Sequence, residues 1–367
     1  MVFDFNMKLL IDSHVFDGKF QGTRTYLEGL YKKLIEHKDI DFYFAAQDTD
    51  NLYKVFGEHQ NVHYIPLESG GSIKRLALQW PKIIKKFGID WAHYQYISPL
   101  CKCCKEIVTV HDLLFMDMPE YFPLSYRVKN EFFFRRSAKR ADILLTVSSF
   151  SKDEIVHHFK ISPDNIFITP NSVLPIDDAI VLPDVKRKWN LERYILTVGR
   201  YEPRKNMVML MQAFSDLGLH KKGYKLVMIG SPDINYKMFY DFLDNADKDL
   251  KSAIITDRAS FPELVALYKQ ADLFVFPSLG EGFGIPPLEA IVYGCPLICS
   301  NATAMAEFGL QKELLFNPQD IADLKTKMLK VLSGASPNVD KDVILEKFNW
   351  QHSANVLYKA IKSNYIV

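Results

Sequence analysis

Residues 271–300, ADLFVFPSLGEGFGIPPLEAIVYGCPLICS, constrain this chain more than any other stretch. Leu273 to Phe276 is apolar at every position rather than at alternate ones, which marks a strand covered on both faces and hence a parallel sheet. Pro277 ends it. The loop that follows carries Gly282 and Gly284, where backbone can pass close to a ligand, and Pro286 and Pro287 suit the first turn of a helix that Leu288 to Tyr293 continues. Gly294 closes the helix before a second apolar strand, Pro296 to Cys299. Unpaired N–H groups at such a helix start attract phosphate. Glu281 in the loop and Glu289 in the helix are eight positions apart, so one carboxylate is expected at the phosphate mouth and the other a turn inside.

The same strand and helix period runs through the rest of the chain. Met7 to Ile11, Asp41 to Ala46, Val62 to Ile65, Asp90 to Tyr94, Ile107 to Val110, Ile143 to Val147 and Ile166 to Thr169 read as strands of one sheet. Tyr194 to Val198, Lys225 to Ile229 and Ala253 to Thr256 join the two strands above in another. Helical patterns lie between them, so both sheets are predicted to be parallel and covered on both faces. Pro170 to Asp184 has three prolines and no helical period, as a connection between domains would. The expected division is an N-terminal domain over 1–172, a linker over 173–190, a C-terminal domain over 191–348 and a last helix, 349–367, crossing back to the first domain. The fold class is α/β, with two doubly wound Rossmann-like domains facing a central cleft.

Ligands of open α/β sheets bind beyond the carboxyl ends of the strands, which selects the polar residues that matter. His111 directly follows the strand IVTV, a place that favours a functional over a packing histidine. Gly22 and Thr23 sit at the start of the helix after the first strand. Arg200 and Lys205 lie on the loop after Tyr194 to Val198, where the guanidinium can clamp a phosphate in two bonds and the ammonium adds a point charge. Thr256 ends another strand, and Asp257 and Arg258 lie just beyond it. Ser148 or Ser149 is expected to cap the helix after Val147.

Composition narrows the classes. The chain has 367 residues, 48% of them hydrophobic, and a formal charge of +1, which gives no footprint for nucleic acid. Five cysteines, an odd number, and no signal-peptide pattern point to a reducing cytoplasm, and no window is apolar enough to cross a membrane. Two basic, partly aromatic helices are expected in the N-terminal domain. One, from Ser72 to Phe87, carries Lys74, Arg75, Lys82, Lys85 and Lys86; the other, from Leu124 to Ala141, carries Arg127, Lys129, Arg135, Arg136, Lys139 and Arg140. They suit either a solvated face or an anionic membrane surface, which would make the protein peripheral on the inner face of the membrane. Asp48-Thr49-Asp50 has the D-x-D spacing of a metal triplet but follows a strand far from the inferred site, so it reads as a surface turn. Cys101, Cys103 and Cys104 lack partners at zinc spacing.

Arg200, Lys205 and the Glu281-to-Glu289 pair in EGFGIPPLEA resemble the retaining GT-B glycosyltransferases of family 4, whose signature is two glutamates separated by seven residues. QGTRTYLEGL, VTVHDLLF, ADILLTVSSFSKDEI, PNSV and ILTVGRYEPRKNM fall where that family has comparable segments, so the resemblance covers nearly the whole chain. VTVHDL followed by MPEYFP is most similar to the mannosyltransferase-like branch of bacterial polysaccharide synthesis. The resemblance implies roles by position: Arg200 and Lys205 on the donor diphosphate, Glu289 on the nucleotide ribose, Glu281 beside the sugar hydroxyls and His111 near the transferred sugar. Gly282, Phe283, Gly284 and Ile285 would offer amides to phosphate or sugar, and Thr256 to Arg258 would lie near the base. Gln21-Gly22, where many members have two glycines, and the segment Asn301 to Glu307 depart from the pattern.

The implied reaction moves a hexose, mannose from GDP-mannose as first choice, from a nucleoside diphosphate sugar to a hydroxyl of a glycan or lipid-linked glycan, with retained configuration and no metal or other cofactor. Front-face attack assisted by the leaving phosphate is the implied route, because no second carboxylate is placed for a double displacement. A UDP-sugar-dependent transferase of the same fold and a degenerate, non-catalytic sugar-nucleotide-binding protein are the alternatives.

Overall fold

The computed structural model describes residues 6–18, 22–176, 180–231, 236–335 and 337–365. The chain forms two compact units, Met1–Leu174 with Lys347–Val367, and Pro175–Glu346. In the first, a seven-stranded sheet has the order β3-β2-β1-β4-β5-β6-β7, from β1 (Met7–Asp12), β2 (Ile40–Ala46), β3 (Val62–Pro66), β4 (Trp91–Gln95), β5 (Lys105–Thr109), β6 (Ile143–Thr146) and β7 (Ile166–Ile168). In the second, a six-stranded sheet has the order β10-β9-β8-β11-β12-β13, from β8 (Arg193–Val198), β9 (Tyr224–Ile229), β10 (Ile254–Asp257), β11 (Leu273–Phe276), β12 (Leu297–Ser300) and β13 (Leu315–Phe316). All the pairings are parallel. Every strand expected from apolar runs forms, and β13 is added; at two residues it is too short to leave a pattern in the sequence. Both sheets reverse their strand order once, between β1 and β4 and between β8 and β11, and such a reversal opens a crevice at the carboxyl ends of the two strands.

Several elements differ in detail from their sequence expectation. The basic segment from Ser72 is not one regular helix: a turn at Gly71–Lys74 leads into a π-helical stretch, Arg75–Gln79, before the helix Trp80–Phe87. Asp48 is no surface turn but the cap of the helix Thr49–Phe56, accepting from the Asn51 N–H at 2.9 Å. Ser148 rather than Ser149 caps the helix Ser149–Phe159, accepting from the Ser151 N–H at 3.0 Å. Among the described residues of the connection, 170–176 and 180–184 form neither helix nor strand, and 177–179 lie outside the described residues. The turn Val185–Lys188 and Trp189, within the expected linker, pack into the second unit: Val185 is buried, and Trp189 Nε1 donates to Asp257 at 2.8 Å.

The helix Trp350–Tyr365 packs on the helix Gly22–Leu34 of the first unit. Gly29 makes this possible, since a Cβ there would lie 2.0 Å from the Trp350 ring. Trp350 Nε1 donates to the Val173 carbonyl at 3.2 Å, Ser353 Oγ to that of Pro170 at 2.7 Å, and Tyr358 and Lys362 both reach Asp39 at 2.9 Å. No helix among the described residues is long and apolar enough to cross a membrane.

Candidate active site

In the second unit the loops after β8 and β11 flank the reversal of strand order, and one buried charge cluster joins them. Lys205 Nζ lies 2.5 Å from Glu281 Oε1, and Arg204 lies 3.1 Å from Glu281 Oε2. Arg204 also pairs with Glu202 at 2.5 Å and donates to the Gly280 carbonyl. Ser278 Oγ donates to Glu281 at 2.6 Å. Burial alone would raise the Glu281 carboxyl, but the charges of Lys205 and Arg204 outweigh it and hold the group at about 2. The same burial lowers Lys205, against the pull of Glu281. The main chain is fixed as well: the Glu281 N–H donates to Thr303 Oγ1 at 2.9 Å, and that hydroxyl donates back to the Glu281 carbonyl at 3.0 Å. Thr303 does this at φ +52°, a left-handed conformation rare for a β-branched residue and therefore strained.

Sequence reasoning placed Lys205 and Glu281 in separate roles; the structure makes them partners. Sequence reasoning gave Arg204 and Thr303 no role, although Arg204 joins Lys205 and Ser278 on the Glu281 carboxylate and Thr303 fixes its backbone. Arg200 stands apart from the cluster: its side chain is 58% exposed and its nearest carboxylate, Glu202, is 3.9 Å away. It is a cation with reach. Gly282, Phe283 and Gly284 are buried with Glu281, and the Phe283 ring meets Phe308 edge-on at 5.5 Å. Gly284, at φ +95°, starts the helix Ile285–Val292, whose first turn holds the two prolines. A side chain at that φ would be strained.

Glu289 lies within that helix, where Tyr268 donates its hydroxyl to Oε2 at 2.9 Å. Burial pushes its carboxyl up to about 7, with the tyrosine hydroxyl opposing. Thr256, Asp257 and Arg258 are exposed at the end of β10, the edge strand. Asp257 is occupied there: it accepts from Trp189 and from the Arg258 N–H, and these bonds lower its pKa.

In the first unit His111 follows β5, close to the reversal between β1 and β4. Its Nε2 lies 2.8 Å from Gln95 Oε1 at the end of β4. Gly22 and Thr23 begin the helix Gly22–Leu34, and Tyr26 of the same helix sets its ring edge-on to His111 at 4.9 Å. Gln21, the partner of Gly22 in the departure noted above, lies outside the described residues. Burial pushes the His111 imidazole down to about 3, so it is neutral.

Among the described residues one group of metal-ligating side chains converges, Asp117, Glu154 and His158. His158 Nε2 is 2.5 Å from Asp117 and 3.2 Å from Glu154, and burial and then the Asp117 carboxylate raise Glu154 to about 8. His158, set between the two acidic side chains, accounts for this group. Asp48 caps its helix, and Cys101, Cys103 and Cys104 are free thiols.

Comparison with known proteins adds to this geometry. Residues 20–174 match the family model described as Glycosyltransferase Family 4, and residues 183–344 match that of glycosyl transferases group 1. The O-antigen chain mannosyltransferase B of Escherichia coli is 31% identical over 63% of this chain and 62% of its own. The O-antigen chain mannosyltransferase RfbU of Salmonella typhimurium is 32% identical over 59% of this chain and 57% of its own. The serotype-specific mannosyltransferase WbdA of Escherichia coli is 29% identical over 69% of this chain but only 32% of its own length. The chain thus spans less than two thirds of these curated relatives. Among solved structures, sucrose-phosphate synthase from Thermosynechococcus elongatus superposes with a TM-score of 0.75 at 17% identity, covering 99% of this chain and 100% of that one. HepE from Anabaena, in complex with UDP, gives 0.66 at 15% identity, covering 98% and 100%. These likenesses show the fold, two Rossmann-like units of the GT-B type.

Proposed function

The chain belongs to glycosyltransferase family 4, its second unit to the group 1 transferases, and from that premise we propose that it moves a hexose from a nucleoside diphosphate sugar to a hydroxyl of a glycan or lipid-linked glycan. The observation that carries this reading is the Lys205–Glu281–Arg204 cluster at the strand-order reversal of the second unit, beside a glycine-opened helix start. When a glycosidic bond to a diphosphate breaks, negative charge grows on the leaving group. Arg200 is exposed on the loop after β8 and suits an arriving diphosphate. Lys205 would share its charge between that diphosphate and Glu281, leaving Glu281 to orient sugar hydroxyls. These cations supply the charge that a divalent metal supplies in other transferases, which supports a metal-independent reaction. Glu289, with one oxygen on Tyr268, offers its other to ribose hydroxyls, and His111 is assigned to a hydroxyl of the sugar.

The curated relatives are mannosyltransferases, which favours mannose as the sugar; GDP-mannose is the proposed donor, with retention and front-face attack as the proposed stereochemistry and route. Arg200→Ala or Lys205→Ala is expected to lower kcat on the order of 10²-fold, the usual cost of losing a transition-state charge contact. Near-normal turnover of either variant at saturating donor would remove the assignment. The anomeric configuration of the product, read from its NMR couplings, tests retention. A product formed from a UDP-sugar but not from GDP-mannose would establish the other donor class.

A further inference from the structure

We propose that Gln95 is a positioning residue for His111: its side-chain amide holds the imidazole in the Nε2–H form and leaves Nδ1 as a hydrogen-bond acceptor for a substrate hydroxyl. The proposal rests on the assignment of His111 to hydroxyl recognition and says which atom does the recognising.

Gln95 ends β4 at the strand-order reversal of the first unit and is buried. Its two amide ends face two different imidazoles. Oε1 lies 2.8 Å from His111 Nε2, and the amide nitrogen lies 3.2 Å from His93 Nε2. His93 is fully enclosed, with its Nε2 also 2.7 Å from Thr109 Oγ1 and its Nδ1 2.7 Å from the Tyr31 hydroxyl. An amide oxygen only accepts and an amide nitrogen only donates, and a neutral imidazole carries one N–H. The oxygen facing His111 therefore requires a hydrogen on Nε2, which makes Nδ1 a lone pair. The nitrogen facing His93 requires a lone pair on that Nε2, which puts the His93 hydrogen on Nδ1, donating to Tyr31. The Thr109 hydroxyl, 2.7 Å from the same nitrogen, then shares that lone pair as a second donor.

Burial pushes both imidazoles down to about 3, His93 with help from its neighbour His111, so the neutral-ring logic holds throughout the neutral range. Reversing the amide would reverse both tautomers together, so one side chain couples two histidines. The hydroxyls of Thr109 and Tyr31 can each donate or accept, so they follow the tautomer that the amide sets. The rings of Tyr26 and Tyr96, at 4.9 and 5.2 Å, hold the His111 imidazole in place without contributing a polar atom to Nδ1. A neutral acceptor nitrogen binds the hydrogen of a hydroxyl and disfavours a carboxylate or phosphate at the same spot, so the tautomer sets a specificity and not only an orientation.

The test is the nitrogen NMR of the intact, ligand-free chain labelled at histidine, with the two rings assigned through His93→Gln and His111→Asn. Nε2–H at His111 and Nδ1–H at His93 are expected; the reverse pair overturns the proposal. Gln95→Met keeps the length of the side chain but removes both bonds. It is expected to let His111 relax towards a mixture of tautomers and to lower kcat about tenfold, the size of one ordinary hydrogen bond. A His111 that stays wholly Nε2–H in this variant, or unchanged kcat, overturns it equally. Because the tautomer is read without substrate, its outcome stands apart from whether the chain transfers a sugar.

Discussion

At the scale of residues, two carboxylates eight positions apart are pushed in opposite directions. Glu281 is ionised deep among cations and held at about 2, whereas Glu289 has no cation and burial lifts it to about 7. The consequences for stability have opposite signs. The depressed Glu281 contributes fully above its ordinary value of 4.5, and the contribution is lost as pH falls from there towards 2; at 1.36 kcal/mol per unit this is about 3 kcal/mol at most. The raised Glu289 weighs against folding as pH rises from 4.5 to 7. Glu281→Gln is therefore expected to cost much more stability in urea unfolding at pH 6 than at pH 2.5, and Glu289→Gln to gain stability between pH 5 and pH 7.5. Equal costs at both pH values for Glu281→Gln would mean that its charge does not hold the loop.

Why the glutamate pair was legible in the sequence while its supports were not follows from what each signal needs. Glu281, Gly282, Gly284 and Glu289 sit in one continuous strand–loop–helix stretch, so local spacing reveals them. Arg204 is next to Lys205, and only its direction in space separates a solvated arginine from one that pairs with Glu202 and Glu281. Thr303 reaches Glu281 from 22 positions away, in a segment that had stood out only as a departure from the family pattern. Gln95 reads as the end of a buried strand, and its meaning depends on the two histidines it faces.

At the scale of elements, apolar runs predicted the strands because a strand covered on both faces needs no alternation, while β13 and the π-helical stretch Arg75–Gln79 are set by packing rather than by local pattern. The helix Trp350–Tyr365 is held where a single missing side chain allows it. Gly29→Ala is expected to lower stability by about 1–3 kcal/mol, the usual cost of overpacking, read as a lower melting temperature. An unchanged melting temperature would mean that the helix is not held through that contact. The helix Leu124–Arg140 shows a different balance from the one its charges suggested. Arg127 and Arg136 donate to loop carbonyls, and Arg135 and Arg140 pair with Glu131 and Glu106. Leu124, Val128 and Phe132, at successive helical turns, are each more than 60% exposed. If this helix meets a membrane it does so through an apolar ridge with Lys129 beside it, and the double change Val128→Ser with Phe132→Ser is expected to abolish flotation with anionic liposomes. Flotation unaffected by the pair would place any membrane contact elsewhere.

At the scale of the whole molecule, the chain is two units with separate sheets and separate cores, and the proposed donor groups Arg200, Lys205, Glu281 and Glu289 all belong to the second, Pro175–Glu346. Units with their own cores are expected to unfold in distinguishable steps in calorimetry. A ligand stabilises only what it binds, by RT ln(1 + [L]/Kd), which is about 2.7 kcal/mol at a hundredfold excess over Kd. GDP is therefore expected to raise the transition of the second unit and to leave that of the first in place. Lys205→Ala should remove most of that rise without moving the first transition. A GDP-dependent rise confined to the first transition would transfer nucleotide binding to the other unit and end the assignment of these four residues. A rise with UDP but not with GDP would keep the residues and change the donor, because the cations and carboxylates named here are assigned to the diphosphate, the sugar and the ribose and not to the base.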